Sequence, residues 1–291
     1  MSPGGLARGR SLASRLASRG VLHAVLVGIS LLWLLPTVGL FVSSLRPTRV
    51  VATSGWWTAL MPPFAFTLEN YRHVLSQANI GRSFLNSLLI AIPSTVMPLL
   101  VAAFAAYAFS WMRFRGRDVL FLVVVGLLVV PLQVTLIPVL RLFVATGLAG
   151  TMPAVWIAHS AYGLPFAIYL LRSFMDELPG EMMECARLDG ASHPQIFFRL
   201  VLPTSVPAIA SLAIFQFMWV WNDLLVALIY LAGSPAVQPM TVTISSMVNS
   251  YGGGWEYLTA AAFISMLLPL GIFFGLQRYF VRGILAGAVK G

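Results

Sequence analysis

The chain has 291 residues, of which 59% are hydrophobic and 9% are charged, and its mean hydropathy is +0.88. A soluble domain carries about 25% charged residues, so this composition excludes a mainly soluble protein and indicates an integral membrane protein. The net charge of +9 does not indicate nucleic-acid binding, because the basic residues stand at the ends of apolar stretches, where they orient a protein in the bilayer. A single cysteine, Cys185, excludes an intramolecular disulfide.

Six apolar stretches are each long enough to cross a bilayer, which takes about 20 helical residues. In chain order they cover residues 21–44, 83–111, 119–144, 152–174, 206–232 and 258–280. They predict an all-α integral membrane protein with six transmembrane helices. The first stretch is too long for the apolar core of a signal peptide, so we interpret it as an uncleaved span.

The predicted organisation is a cytoplasmic N-terminal arm at residues 1–20, a transmembrane domain at 21–282 and a cytoplasmic tail at 283–291. Arginines gather in the arm and in the loops after the second and fourth stretches, at Arg8, Arg10, Arg15, Arg19, Arg113, Arg115, Arg117, Arg187 and Arg199. Basic residues favour the cytoplasmic side, so both termini are predicted to be cytoplasmic. The loop at 45–82 is then outside, and a short external helix is predicted to begin near Phe66.

Prolines fall inside several of the predicted spans, at Pro93, Pro98, Pro131, Pro138, Pro165 and Pro269. Proline has no backbone N–H, so each one removes a helical hydrogen bond and can kink or break its helix. Kinks are expected where a transport pathway opens, although proline is also common in membrane helices generally.

A polar segment at residues 176–205 separates the fourth and fifth stretches. Five of the nine acidic residues of the chain lie between Asp176 and Asp189. Pro179 is typical of a helix start, Gly190 of a helix end, and Ser192 with Gln195 of a capping box that starts a second helix. The segment is predicted to form two short helices beneath the membrane, where a soluble partner can bind. An amphipathic helix pair at the membrane surface is the simpler alternative.

Within this segment, Glu184-Cys185-Ala186, Gly190 and, after nine further residues, Leu200-x-Leu202-Pro203 resemble the "EAA" motif of ABC importer permeases. Cys185 stands in place of the first alanine of the motif, and Leu200 in place of isoleucine. The surrounding sequence is similar to the sugar-importer (maltose-type) branch of that family. The similarity includes Leu136-Ile137-Pro138, Gly163-Leu164-Pro165-Phe166, Leu170-Leu171-Arg172-Ser173-Phe174 and Trp221-Asn222-Asp223.

The resemblance implies a type I ABC importer permease fold, in which residues 176–205 are the cytoplasmic coupling-helix loop. It implies that the residues coupled to the ATPase are Glu184, Cys185, Ala186, Asp189, Gly190, Leu202 and Pro203. It further implies two ATPase subunits that bind ATP and Mg²⁺, a second and different permease subunit, and an extracytoplasmic sugar-binding protein that the outer loop at 233–257 contacts. The setting would be a bacterial or archaeal plasma membrane.

The chain itself has no Gly-x4-Gly-Lys-Ser/Thr phosphate-binding loop. We therefore expect no cofactor in this chain and no enzymatic activity, because ATP hydrolysis would belong to the partner subunits. The sequence also has no cluster of histidine and cysteine with the spacing of metal ligands.

Polar and aromatic residues in the later spans are candidates for the sugar path, since sugars bind through hydrogen bonds and aromatic stacking. The strongest candidates are Asn222 and Asp223 beside Trp221. His159 and Tyr162 share a face of the fourth span, where an interhelical hydrogen bond is an equally good interpretation. In the maltose-type family the other permease subunit holds most of the sugar contacts, so the resemblance implies a small share for this chain.

Two other functions stay open at the level of sequence. An ABC permease for a non-sugar solute would carry the same motif. A self-sufficient secondary transporter is the second alternative, and it would need coupling-ion sites or inverted repeats, neither of which is evident here.

Overall fold

A computed structural model of the chain describes residues 12–77, 79–231, 233–247 and 254–288. Within these ranges the regular elements are helices, and no strand is present. Most of the predicted arm and the last residues of the predicted tail lie outside the described residues, as does the glycine-rich part of the outer loop around Gly252 and Gly253.

The helices follow one another with short connections, except around the outer loops. Their bounds are α1 Leu12–Ser44, α2 Thr48–Thr53, α3 Glu69–Gln77, α4 Ile80–Trp111, α5 Arg117–Gly126, α6 Leu132–Ala145, α7 Met152–Met175, α8 Gly180–Leu188, α9 His193–Ile196, α10 Leu202–Thr204, α11 Val206–Trp221, α12 Leu225–Tyr230, α13 Met240–Ser245 and α14 Trp255–Ala288. Two 3-10 turns, Trp56–Leu60 and Leu127–Val129, and a π-helical segment, Phe197–Val201, complete the set.

Four helices of the described chain are long and apolar enough to span a bilayer, over Gly20–Ser44, Ile80–Trp111, Met152–Met175 and Trp255–Gly275. Two further helix pairs are long and apolar enough when taken together but are bent, so each is a broken span or a re-entrant loop, and the first half of the second pair belongs to the segment 176–205. Residues 117–129 and 132–145 meet at 102°, and residues 193–204 and 206–221 meet at 70°. Counting each bent pair as one span gives six, which agrees with the prediction of an all-α membrane protein.

Two predicted spans differ in outline from the structure. The third was predicted as one stretch in which Pro131 could kink or break the helix, and it does break at Val130, whose ψ of 117° is extended, because the residue before a proline is disfavoured in the helical region. The fifth was predicted to reach residue 232, but α11 ends at Trp221. There Asp223 starts the separate helix α12, since its carboxylate accepts hydrogen bonds from the N–H groups of Val226 (3.3 Å) and Ala227 (3.0 Å).

Helix α4 is the centre of the bundle and packs along α7 and α11. Near its C-terminal end, Ala102, Ala103 and Ala106 are buried, and small side chains of this kind let membrane helices approach closely. A second buried cluster lies toward its N-terminal end, where Ile90 of α4 packs with Val155 and other residues of α7 and α12. Buried contacts near both ends of α4 therefore hold the other helices around it.

Two prolines leave carbonyl groups of α4 without their usual helical donor, and neighbouring helices supply replacements. Pro93 has no N–H for the carbonyl of Leu89, and the indole Nε1 of Trp156 in α7 donates to that oxygen at 2.9 Å. An unsatisfied carbonyl in lipid is costly. Trp156 therefore links α7 to α4 at the point where α4 lacks a backbone hydrogen bond.

The second proline of α4 is compensated in the same way from α11. Pro98 removes the donor for the carbonyl of Ser94. The side-chain Nε2 of Gln216 donates to that oxygen at 3.2 Å and also reaches the carbonyl of His159 at 3.4 Å. Gln216 is buried, so a single amide joins α4, α7 and α11 inside the membrane.

The external segment after α1 is folded around two polar side chains. Arg46 is buried and donates from Nη2 to Ser54 Oγ (2.6 Å) and Thr58 Oγ1 (3.0 Å). Asn70 in α3 donates from Nδ2 to the carbonyl oxygens of Ser44 and Arg46, each at 2.8 Å. These bonds fix α3 against the C-terminal end of α1. The helix predicted near Phe66 is therefore present from Glu69, and its external position stays a prediction.

The hydrogen bond from Trp156 to the carbonyl that Pro93 leaves without a donor can be tested by a double-mutant cycle. We expect Trp156→Phe to lower the free energy of unfolding by about 1 kcal/mol, because the Leu89 carbonyl loses its donor. In a Pro93→Ala background, where the backbone regains an N–H, the same change should cost less. The measurement is denaturant or thermal unfolding in detergent, with Trp33→Phe as the control, since Trp33 is 79% exposed. Equal costs of Trp156→Phe in both backgrounds would contradict this role.

Candidate functional site

The coupling module, residues 176–205, begins with an amphipathic helix. Pro179 precedes α8, and Glu181 lies in the first turn of the helix, where a carboxylate is stabilised by the helix dipole. Met183 is 1% exposed and anchors α8 to the bundle. Glu184 and Cys185 lie on the exposed side of the same helix. The helix thus presents polar groups outward and holds its position through an apolar contact.

The end of α8 is a tight turn that depends on Gly190. Its φ is +77°, a left-handed conformation that glycine adopts without steric cost. The N–H of Ala191 donates to the carbonyl of Ala186 and that of Gly190 donates to Arg187, both at 3.0 Å, which is a Schellman motif. Asp189 precedes the turn and is exposed. The predicted helix stop at Gly190 is confirmed.

A capping box starts the second helix of the module, as the sequence predicts. The backbone N–H of Ser192 donates to Gln195 Oε1 at 2.8 Å, and the box is complete. Ile196 and Phe197 turn inward and are buried. Leu202 and Pro203 lie farther along, next to the bend that leads into α11, so these two residues are at the base of the module and not at its tip.

The module is joined to α4 by contacts that leave little freedom for relative movement. The hydroxyl of Tyr107 shares a hydrogen bond of 2.9 Å with Nδ1 of His193. Phe197 stacks on Phe104 with ring centroids 4.7 Å apart. Arg187 Nη2 donates to the carbonyl of Trp111 at 3.3 Å, at the end of α4. A force applied to the module therefore reaches α4 as well as α11.

Leu188 is a residue of this site that the sequence reasoning missed. Its side chain is 88% exposed at the tip of α8, beside the Gly190 turn. A leucine between Arg187 and Asp189 in a polar segment was visible in the sequence, and its exposure makes the side chain available to a partner. A cleft of about 340 Å³, which Leu188 does not line, lies between α8, the turn and the segment that follows it.

Among the residues predicted to line the transport path, Trp221 connects two helices of the bundle. It is 3% exposed, and its Nε1 donates to the carbonyl of Ser265 at 3.2 Å. Pro269 deprives that carbonyl of its helical donor. The ring also stacks on Phe217 at 5.7 Å. Trp221 thus ties α11 to α14, and its predicted contact with a transported sugar stays a prediction.

His159 and Asp223 lie next to each other near the outer end of the bundle. His159 Nε2 is 3.6 Å from Asp223 Oδ2, and the His159 side chain is 1% exposed. Trp219 packs edge-on against the His159 ring with centroids 5.2 Å apart. Asn222 is exposed and donates from Nδ2 to the carbonyl of Met218 at 2.7 Å. The chain therefore brings His159 to Asp223, while Asn222 bonds within its own helix.

Tyr162 belongs to a different group of side chains from His159, although both lie on α7. Its hydroxyl shares a hydrogen bond of 2.7 Å with the hydroxyl of Tyr230 in α12. It also accepts a hydrogen bond of 3.0 Å from Thr135 Oγ1 in α6. This fits the interhelical hydrogen-bond interpretation of Tyr162, while a role in the path stays a prediction.

A cleft between α7 and α11 was not foreseen from the sequence. Its volume is about 240 Å³, and it is lined by Tyr162, Gly163, Phe166, Leu212, Phe215, Gln216 and Trp219. Of the predicted path residues, Tyr162 is the one that lines it. The α11 residues recur at intervals of three and four, which places them on one helix face, and that pattern could have indicated a shared surface.

The outer loop is partly fixed on the bundle. Asn86 Nδ2 donates to the carbonyl oxygens of Ala236 (3.1 Å) and Gln238 (3.0 Å), and Ser87 Oγ accepts from the N–H of Met240 (2.8 Å). Among the described residues, no group of three or more histidine, cysteine, aspartate or glutamate side chains is placed to hold a metal ion.

Comparison with known proteins gives consistent results. Residues 83–286 match the family "Binding-protein-dependent transport system inner membrane component". An osmoprotective compounds uptake permease protein of Synechocystis is 57% identical over 272 residues, 92% of this chain and 91% of that protein. An alpha-glucoside transport system permease protein of Rhizobium meliloti is 57% identical over 241 residues, 81% of this chain and 63% of that protein. A crystal structure of a bacterial ABC transporter involved in alginate import superposes with a TM-score of 0.74 at 22% identity, covering 94% of this chain and 100% of that chain.

The Gly190 turn gives a prediction that does not depend on function. Gly190→Ala should weaken the turn by about 1 kcal/mol, because alanine is disfavoured at positive φ. Gly190→Asn should cost less, since asparagine enters this region more readily. Hydrogen–deuterium exchange at the Ala191 amide, which bonds to Ala186, measures the opening of the turn. Equal protection in the two variants would show that backbone strain does not govern this turn.

Proposed function

The chain belongs to the family of binding-protein-dependent transport system inner membrane components, and we propose that it is a permease subunit of an ATP-driven importer that carries a sugar across the plasma membrane. It is a multi-pass membrane protein and a transport subunit, not an enzyme. The observation that carries the proposal is the coupling module, which presents Glu184 and Leu188 outward while its inner face is bound to α4.

Two ATPase subunits are the proposed partners of the coupling module, and they would hold the ATP and Mg²⁺. Leu188 offers an apolar contact at the tip of α8, and Glu184 offers a carboxylate for charge-assisted hydrogen bonds. Gly190 has no side chain, so the turn adds no steric bulk beside these two residues. A groove on the ATPase that receives one short helix would fit these features.

Movement of the ATPase pair would then drive alternating access. A conformational change follows only from contacts that differ between two states, and here those contacts are the ones between the module and the open or closed ATPase pair. Tyr107, His193 and Phe197 join the module to α4, and the bend at Ser205 joins it to α11. Displacement of the module is expected to tilt these helices together.

The remaining parts of the assembly are proposed from the distribution of charge and from the external segment. The arginines beside the module favour a cytoplasmic position for it and for both termini. The opposite side carries α3 and the loop fixed by Asn86, which offer a surface for an extracytoplasmic binding protein. The other half of the pathway would come from a second, different permease subunit.

The proposed solute is an α-linked glucoside or a related polar glycoside. The support is the 57% identity to a permease named for alpha-glucoside transport and to one named for osmoprotective compounds. Clustered aromatic side chains at the middle of α7 and α11 are suited to sugar rings. A charged solute would instead call for an opposite charge in the path.

Co-purification followed by reconstitution tests this function. The chain, tagged and extracted from its native membranes, should bring an ATPase, a second permease and a binding protein. In liposomes the complex should take up radiolabelled maltose or trehalose only with ATP and the binding protein. Uptake without ATP would favour a secondary transporter, and ATP-driven uptake of an amino acid or an inorganic ion would favour a non-sugar permease.

Substitutions at the tip of α8 should uncouple the ATPase. We expect Leu188→Asp and Glu184→Lys each to lower ATP-driven uptake at least about tenfold, because central contacts of an interface contribute about 2 kcal/mol or more. Both side chains are exposed, so folding should be unchanged. Recovery of the ATPase with the permease is the second measurement.

Glu69→Lys is the matched control for these substitutions. Glu69 is also exposed but lies in the external segment, so its charge reversal should leave ATPase recovery unchanged. If Leu188→Asp and Glu184→Lys both retain normal ATPase recovery and normal uptake, the coupling role of the α8 tip is wrong.

A further inference from the structure

The cleft between α7 and α11 lies at the middle depth of the bundle. Gly163 is near the centre of α7, which runs from Met152 to Met175, and the α11 wall is formed by one face of a helix that crosses the same depth. The cleft is open on one side, with a volume of about 240 Å³. It therefore lies at a depth that a solute must cross in a pathway opened alternately to the two sides.

Aromatic rings form most of the cleft wall. Phe166 is 44% exposed, Phe215 is 47% exposed and Trp219 is 39% exposed, so each presents part of its ring toward the open side. Trp219 is held in orientation by its edge-on contact with the buried ring of His159, at an interplanar angle of 88°. Rings that are already oriented lose little freedom when a ligand stacks on them.

A single amide, that of Gln216, supplies the polar part of the wall. Its Nε2 is used by the carbonyl oxygens of Ser94 and His159, and this fixes the direction of Oε1. No donor reaches Oε1 from the part of the chain that the structure describes, and Gln216 is one of the residues that line the cleft. Oε1 is therefore available to accept a hydrogen bond from an occupant of the cleft.

Gly163 keeps the space beside this acceptor clear. A Cβ atom at this position would lie 2.5 Å from Gln216 Oε1, which is too close for any side chain to coexist with the amide. The absence of a side chain at position 163 therefore allows Gln216 to hold its two bonds to α4 and α7 while it faces the cleft.

We propose that this cleft binds one sugar ring of the substrate during its passage. The C–H face of the ring would stack on Trp219, Phe215 and Phe166, and one hydroxyl would donate to Gln216 Oε1. This inference rests on the proposed sugar-import function and adds a site to it. The volume is below the usual range for a whole small-molecule pocket, about 300–1,000 Å³, so the rest of the site belongs to the partner permease.

The chemistry of the wall favours a sugar over lipid or an apolar partner helix. Acyl chains and aliphatic side chains would fill the aromatic surface but would leave Gln216 Oε1 without a donor. A sugar has both an apolar face and hydroxyl donors on the same ring. The site also gives this subunit direct contact with substrate, a larger share than the family resemblance implies for it.

Leucine substitutions of the rings test the site in the reconstituted complex with its binding protein. Trp219→Leu and Phe166→Leu keep an apolar side chain, remove the aromatic face and leave both Gln216 bonding partners in place. We expect uptake of radiolabelled maltose and trehalose to fall about tenfold for each. ATP hydrolysis stimulated by the binding protein should persist, because the coupling module is unchanged. Trp219→Tyr, which keeps an aromatic face, should restore most of the uptake.

Phe274→Leu is the control, since Phe274 is 63% exposed on α14 and lies outside the cleft; its uptake should be normal. Normal uptake by both Trp219→Leu and Phe166→Leu, with wild-type sugar uptake present, would overturn the site while the importer function stands. Equal loss in Trp219→Leu and Trp219→Tyr, or loss of assembled complex in both, would also overturn it, since the rings would then be needed for packing only. Failure of the wild-type complex to take up either sugar would instead refute the proposed function.

Discussion

The bundle depends on one constraint, which is that every backbone carbonyl inside the bilayer must have a hydrogen-bond donor from the protein. Three of the prolines inside helices of the described chain, Pro93, Pro98 and Pro269, break this condition at the carbonyl groups of Leu89, Ser94 and Ser265, four residues earlier. In each case a side chain on another helix donates to the freed oxygen, from Trp156, Gln216 and Trp221. The prolines thus create the points at which the helices are tied together.

These ties decide how movement is transmitted through the chain. Helix α4 receives donors from α7 and from α11, and at its C-terminal end it contacts the coupling module through Tyr107 and Trp111. The module is therefore attached to the bundle by side-chain contacts as well as by its chain connections. A displacement of α8 acts on α4 and α11 at once, which is the arrangement that a subunit driven from the cytoplasm requires.

Features with local causes were predictable from the sequence, and features with distant causes were not. The turn at Gly190 and the capping box at Ser192 need residues only a few positions apart, so their pattern was sufficient. The end of α11 at Trp221 was missed, because hydropathy continues past it and the capping carboxylate of Asp223 was considered only as a path residue. The place of Trp221 depends on Pro269, 48 positions later, and no local pattern indicates such a pair.

Gln216 combines the constraint on the backbone with the proposed site in the cleft. Because its Nε2 is committed to Ser94 and His159, the amide cannot rotate away without leaving the Ser94 carbonyl unpaired in the bilayer. The cleft is therefore not opened or closed by a change of this side chain. It changes shape when α7 and α11 move relative to each other, and α11 is the helix that continues directly from the coupling module. The site where a sugar would be held and the element that an ATPase would move are thus joined through one helix.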